Sequence, residues 1–79
     1  MNQRLGLEHN KKNVGKLIRT FRHNAHFKSE YVAQKLCISR GNYSKLENGQ
    51  IDLTDARLSL LCRIYQITPP EFYLHFKYC

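Results

Sequence analysis

The sequence lacks the features that mark membrane, secreted and disulfide-stabilised proteins. No apolar run approaches the roughly 20 residues of a membrane span. The first twelve residues contain no apolar segment of the kind that a signal peptide needs. The three cysteines are odd in number and widely spaced, and they include no C-x-x-C pair, so reduced thiols are expected. These absences predict a cytoplasmic protein without a membrane partner.

Signatures of catalysis and of cofactor binding are also missing. The chain contains no phosphate-binding loop and no nucleophile accompanied by a base and an orienting group. His23 with His26, and His75 with Cys79, have helical spacing, but structural zinc needs four converging ligands. With 79 residues, the chain is too short for a deep cleft between two lobes. We therefore expect no enzyme, no cofactor and no metal site.

Positive charge, in contrast, is in excess. Thirteen Lys and Arg residues stand against six Asp and Glu residues, which gives a formal net charge of +7. On so small a surface this charge favours a partner that presents phosphates. Taken alone, however, such residues most often form a solvated helix face. The surrounding sequence pattern must therefore decide whether DNA is the partner.

Apolar spacing predicts an all-α domain with no strand, preceded by a flexible basic arm over residues 1–12. The domain, residues 13–79, ends in an aromatic tail. Thr54 and the capping box at residues 68–71 indicate two helix starts. The predicted helices cover about residues 13–24, 28–35 and 39–46, then a fourth that starts at Thr54 with apolar spacing to Tyr65, and a fifth over residues 72–76.

The strongest pattern is a pair of short helices joined by a tight turn. It lies in KSEYVAQKLCISRGNYSKLENGQ (residues 28–50), with small Ala33 where the two helices cross and Ser39 as the cap of the second. This segment resembles the helix-turn-helix of the lambda-repressor and Cro-like family, also called the XRE type. The flanking residues 14–22 and 58–72 are similar to that family's first, fourth and fifth helices. The resemblance implies a five-helix lambda-repressor-like domain that binds double-stranded DNA.

The resemblance also implies which residues contact DNA. Arg40 lies in the first turn of the second helix of the pair, and its planar fork matches O6 and N7 of guanine. Gly41 costs a helix about 1 kcal/mol relative to Ala, which suggests close approach to DNA or room for a thymine methyl. The family's base-reading positions, with two neighbours on the same side of the helix, fall on Arg40, Gly41, Asn42, Ser44 and Lys45. Its phosphate-contacting positions fall on Ser29, Ser39, Asn48 and Gln50.

Two residues depart from the family's pattern, and two others match a structural pair. Cys37 stands where the family usually has Gly at a positive φ, so mild strain is expected in the turn. Ser29 replaces the usual Gln at the start of the first helix of the motif. Arg22 and Glu47 match an Arg–Glu pair that lies beneath the surface in related domains, and we expect them to pair.

The aromatic tail EFYLHFKYC holds more apolar side chains than one short helix can bury in its own small domain. Two interpretations stay open: the tail caps the core, or it forms a dimer interface, as this end often does in the family. The interface residues would be Phe72, Tyr73, Phe76 and Tyr78. A two-fold pair would place two recognition helices about 34 Å apart.

Together these features predict a sequence-specific DNA-binding transcriptional regulator in a bacterium or phage. We expect a repressor that binds a palindromic operator as a homodimer. One alternative is an antitoxin or restriction-system controller of the same fold, with a toxin or other regulator as protein partner. The other is an interaction module that binds protein or RNA without specific DNA readout.

Overall fold

Five helices make up the part of the chain that a computed structural model describes, residues 11–78, with side chains described for residues 11–74. No strand occurs within these residues, which confirms the predicted all-α class. Of the helices in residues 11–78, none is long and apolar enough to cross a membrane. Residues 1–10 of the predicted arm lie outside the described residues. The helices are α1 (Lys11–Asn24), α2 (Ser29–Lys35), α3 (Arg40–Glu47), α4 (Asp55–Tyr65) and α5 (Pro69–Tyr78).

Three helices begin at the caps that the sequence predicted. The Ser39 hydroxyl accepts a hydrogen bond from the backbone N–H three residues later at 3.0 Å, and Thr54 does the same at 3.3 Å. At α5, the Glu71 carboxylate accepts from the Thr68 backbone N–H at 2.8 Å, and the Thr68 hydroxyl accepts from the Glu71 N–H at 3.4 Å. Each bond satisfies a backbone donor that the first turn of a helix leaves unpaired.

Two helices are longer than predicted. α1 already includes Lys11 and Lys12, two residues earlier than expected, and its first turn packs on the loop after α3. There a Cβ built on Gly49 would lie 2.8 Å from Cα of Lys12. α5 accommodates Pro69 in its first turn, where no intrahelical N–H is needed, and continues through Tyr78 rather than ending near residue 76.

The core joins α1 to α3 and closes against α4 and α5. Its fully buried side chains include Ile18 of α1, Tyr43 of α3, Leu61 of α4 and Phe72 of α5. α1 and α3 meet through backbone at Gly15, where a Cβ would overlap the carbonyl oxygen of Glu47 and lie 2.8 Å from that of Leu46. This close approach requires glycine and fixes α1 against the end of α3.

A row of aromatic rings connects α1 with α4, α5 and the loop before α2. Phe21 stacks on Tyr65 with ring centroids 5.2 Å apart and on Phe72 at 5.5 Å, and Phe27 stacks on Tyr65 at 6.0 Å. Such contacts stabilise the packing beyond the area that they bury. The row therefore fixes the outer helices on α1 without contributing to the surface of α3.

Candidate nucleic-acid interface

A strained tight turn joins α2 and α3. Cys37 has φ of 60°, the left-handed conformation expected where the family usually has glycine, and it is solvent-exposed. For a non-glycine residue this conformation costs about 1 to 2 kcal/mol. Backbone hydrogen bonds support it, because the N–H of Cys37 donates to Gln34 O at 3.0 Å and that of Ile38 to Ala33 O at 3.1 Å.

The two sides of α3 differ sharply in burial. Tyr43, Leu46 and Glu47 are buried against the other helices. The five predicted base-reading residues are all exposed: Arg40, Gly41, Asn42, Ser44 and Lys45. α3 therefore presents a continuous polar and basic surface to solvent, with two cations and three small or amide-bearing positions.

Arg40 is held only loosely at the start of α3. Its side chain is 70% exposed, and Nη1 lies 3.9 Å from Oε2 of Glu30, which is itself 65% exposed. An exposed ion pair of this length contributes little to stability. Next to it, a Cβ added to Gly41 would meet only the Ser39 hydroxyl, at 4.0 Å. Packing within the described residues therefore gives no reason for glycine at position 41.

Residues of three helices meet in a shallow groove at the start of α3. Ser29, the first residue of α2, is half-buried there, which places it beside the base-reading positions. The groove is lined by Arg22, Ser29, Arg40, Gly41, Ser44 and Glu47. Ser39 lies at the adjoining turn, where its hydroxyl caps α3.

The other end of α3 carries the remaining predicted phosphate contacts. Asn48 follows the helix, and Gly49 has φ of 76°, which lets the N–H of Gln50 donate to Lys45 O at 2.8 Å. Asn48 and Gln50 are exposed. The Asn48 Oδ1 accepts a hydrogen bond from Nη2 of Arg19 at 2.9 Å. Sequence reasoning missed Arg19, because its partners are 28 and 29 residues away in the chain and no local spacing indicates them.

Beneath this surface, Arg22 and Glu47 contact each other as expected. Arg22 Nε donates to Glu47 Oε2 at 2.6 Å and Nη2 to Oε1 at 3.1 Å, while Nη1 donates to Phe27 O at 3.2 Å. Their side chains are 16% and 6% exposed. Burial raises the pKa of Glu47, but the hydrogen bonds and positive charge of Arg22, together with the neighbouring Tyr43 and Arg19, outweigh it, so this pKa lies below its ordinary value. The same hydrogen bond raises the pKa of Arg22. Both groups are therefore charged at neutral pH.

Two tyrosine hydroxyls are buried around this pair. Tyr43 brings its hydroxyl towards the Glu47 carboxylate without a hydrogen bond of regular geometry. Its pKa is raised, first by burial and then by that carboxylate. The Tyr65 hydroxyl also has no hydrogen-bond partner among the described residues, and burial raises its pKa to about 12. Because both pKa values are raised, both phenols are uncharged at neutral pH and pack within the core.

The predicted dimer residues fall into two groups. Phe72 is fully buried against Phe21 in the chain's own core, so it cannot also supply surface to a partner subunit. For Phe72 the structure therefore supports the core-capping interpretation. Tyr73 is half-buried and packs edge-on against Phe72, with ring centroids 5.3 Å apart. Phe76 and Tyr78 belong to α5, but their side chains lie outside the described residues.

The histidines do not assemble into a metal site in the described part of the chain. His23 is exposed near the end of α1, and His26 is exposed in the following loop with φ of 60°. Among the described residues, no three His, Cys, Asp or Glu residues are grouped so that they could hold an ion. The side chain of His75 and all of Cys79 lie outside those residues.

Comparison with known proteins agrees with this architecture. A sequence profile described as helix-turn-helix matches residues 18–72. Among solved structures, the crystal structure of the clp gene regulator ClgR from C. glutamicum is similar, with a TM-score of 0.75 over 96% of this chain and 92% of that one. The two sequences are 18% identical, so this likeness concerns the fold. Comparison with curated protein sequences gives no significant match.

Proposed function

The chain belongs to the XRE-type helix-turn-helix family of DNA-binding transcriptional regulators, and from this premise we propose that it represses transcription by reading a specific operator sequence. The observation that supports specific reading is the exposed face of α3, on which two cations accompany small polar residues. A helix with such a face fits the major groove, with its first turn towards the base edges.

In this proposal, Arg40 contacts a guanine. Its guanidinium is mostly exposed and, within residues 11–74, would give up only the long contact to Glu30. A bidentate contact to O6 and N7 discriminates against other bases by about 1 to 3 kcal/mol. Gly41 lets the helix approach the base pairs closely, since nothing in the described chain occupies the space of a side chain there. Asn42, Ser44 and Lys45 supply further hydrogen bonds on the same face.

Phosphate contacts on both sides of α3 set its register in the groove. Ser29 lies at the start of α2, and Asn48 and Gln50 lie beyond the end of α3. The Ser39 hydroxyl accepts one hydrogen bond as the helix cap, and its own O–H can still donate to a phosphate oxygen. These contacts position the protein and are independent of base sequence.

We further propose that two copies bind a palindromic operator in the cytoplasm of a bacterium, with one recognition helix in each half-site. Half-sites one helical turn apart require recognition helices about 34 Å apart. α5 is the proposed interface: Leu74 is exposed next to half-buried Tyr73, and the helix continues with Phe76 and Tyr78 in its sequence.

The experiment is selection of bound duplexes from a random library by the wild type and by Arg40→Ala. Arg63→Ala is the matched control, since it removes an exposed arginine from α4. We expect the wild type and the control to enrich a short inverted repeat. Arg40→Ala should lose the preference at one position of each half-site while it still folds.

Two other results would contradict the proposal. An enriched single half-site would contradict the homodimer but not specific reading. Salt-sensitive binding without any enriched sequence would contradict specific reading and favour an interaction module. A reporter gene behind the selected site tests the sign of regulation, because repression requires expression to rise when Arg40 is replaced.

A further inference from the structure

We propose that α1 provides a second DNA-contacting surface, which binds phosphates of the same duplex next to those contacted by Asn48. The surface consists of Lys12, Lys16 and Arg19 and is called the α1 stripe below. This inference rests on the proposed function, because it extends the same interface from α3 to α1. The partner is the sugar–phosphate backbone, so the stripe would add affinity without adding sequence preference.

The spacing of the three cations places them on one side of α1. They occupy positions i, i+4 and i+7, which lie above one another on a helix. All three are exposed, whereas Leu17 and Ile18 of the same helix are buried in the core. The stripe therefore points to solvent along about two turns of α1.

Contacts at both ends place the stripe beside the segment that follows α3. At one end, backbone and Cγ atoms of Lys12 lie about 3 Å from where a Cβ on Gly49 would stand. At the other end, Arg19 Nη2 donates to Asn48 Oδ1 at 2.9 Å, and Nε lies 3.4 Å from Glu47 Oε1. The stripe is thus continuous with the predicted phosphate contacts at Asn48 and Gln50.

The two lysines of the α1 stripe have no evident role in stability among the described residues. The first turn of α1 contains Lys11 and Lys12 and no acidic residue, although the start of a helix favours negative charge. Within residues 11–74 the structure records no ion pair between Lys12 or Lys16 and a carboxylate. These two lysines, which have no counter-charge among the described residues, are explained if phosphates compensate them in the complex.

Arg19 has a double role in this arrangement. Its side chain is 49% exposed although it is hydrogen-bonded to Asn48 and close to Glu47. A guanidinium has five N–H donors, so donors remain for a phosphate while Asn48 is held in place. Arg19 is therefore a positioning residue for Asn48 as well as a member of the stripe.

The test compares a stripe variant with a control of equal charge change. The stripe variant is Lys12→Gln with Lys16→Gln, since glutamine keeps the Cγ that packs on Gly49. The control is Lys35→Gln with Arg63→Gln. These two residues line a different groove, together with Tyr31, Leu60 and Ile64, that contains no residue of α1 or α3. All proteins are full length, and circular dichroism verifies that each folds.

Affinity is measured against salt on a duplex that carries the selected site. Each phosphate neutralised contributes about 0.9 to the slope of log affinity against log salt. Two lost contacts should lower the slope by about 1.8, which is about a 200-fold loss at 50 mM relative to 1 M salt. The base preference should stay unchanged. Phosphate-ethylation interference should disappear at the positions facing the stripe in the stripe variant alone.

The outcomes separate this inference from the proposed function. If the stripe variant and the control have the same slope and the same interference pattern while Arg40→Ala loses its base preference, the α1 stripe is overturned and the proposed function stands. If the wild type shows no base preference but the stripe variant still lowers the slope, the stripe is supported and specific reading fails. If the wild type does not bind DNA at any salt concentration, both are overturned.

Discussion

Replacing Glu47 by alanine is expected to destabilise the domain by about 3 kcal/mol without changing which bases it prefers. The substitution removes the carboxylate that receives two hydrogen bonds from Arg22, at 2.6 and 3.1 Å. Arg22 would then keep only its bond to Phe27 O, at 3.2 Å, among these three. The loss of stability arises mainly because the largely buried Arg22 guanidinium is left without its carboxylate.

The size of this effect follows from burial. Removing one member of a buried ion pair costs about 3 to 5 kcal/mol. The Arg22 side chain is still 16% exposed, so water compensates part of the lost contact and the lower end of the range applies. A chain of 79 residues has a total stability of about 4 to 12 kcal/mol. The variant should therefore be partly unfolded near room temperature if the wild type lies at the low end.

Urea unfolding at pH 7, followed by circular dichroism, measures this difference. Glu30→Ala is the control, because Glu30 is 65% exposed and its contact to Arg40 is 3.9 Å long. The control should change the free energy of unfolding by less than about 0.5 kcal/mol. If Glu47→Ala is as stable as Glu30→Ala, the pair between α1 and α3 is not a structural requirement and the reasoning is refuted.

Three further predictions concern the same core. The stability of the wild type should fall as the pH drops below 4.5, because Glu47 has a lower pKa in the folded chain and the unfolded chain takes up a proton first. The urea midpoint of Glu47→Gln should depend less on pH in this range. Equal pH dependence of the two midpoints would contradict this. Gly15→Ala should destabilise the domain by about 1 to 3 kcal/mol, because the alanine Cβ would overlap the backbone of α3. Helix propensity alone predicts a gain in thermal stability instead. Such a gain would mean that α1 can move away from α3 at little cost. Tyr65→Phe should raise the free energy of unfolding by about 1 kcal/mol, since the buried hydroxyl has no hydrogen-bond partner among the described residues. A lower stability of this variant in calorimetry would contradict this and reveal a partner.

Local signals explain what could be predicted from the sequence. Ser39 and Thr54 cap helices through hydrogen bonds to a residue only three positions later, so a short stretch of sequence contains the whole interaction. Cys37 adopts a positive φ because the turn between α2 and α3 imposes it, and the family resemblance indicated that position. The exposed side of α3 follows from the spacing of Tyr43 and Leu46.

Interactions between distant parts of the chain could not be predicted in the same way. Gly15 lies within an ordinary apolar stripe, and only the packed structure reveals that it meets the backbone of α3. In the sequence, Arg19 cannot be told from any other surface arginine, and only the folded chain brings it beside Asn48. Phe72 belonged to a tail with an excess of apolar groups, and only its contact with Phe21 assigns it to the core.

The division of α3 into a buried and an exposed side has a consequence for evolution. Tyr43, Leu46 and Glu47 connect the helix to the rest of the domain, whereas Arg40 and Lys45 project outward. Exchanging outward residues changes stability by only about 0.5 kcal/mol or less. Under the proposed function, the preferred operator can therefore drift through single substitutions while the fold stays above its stability threshold. A duplicated gene with this helix would be a ready starting point for a new regulatory circuit.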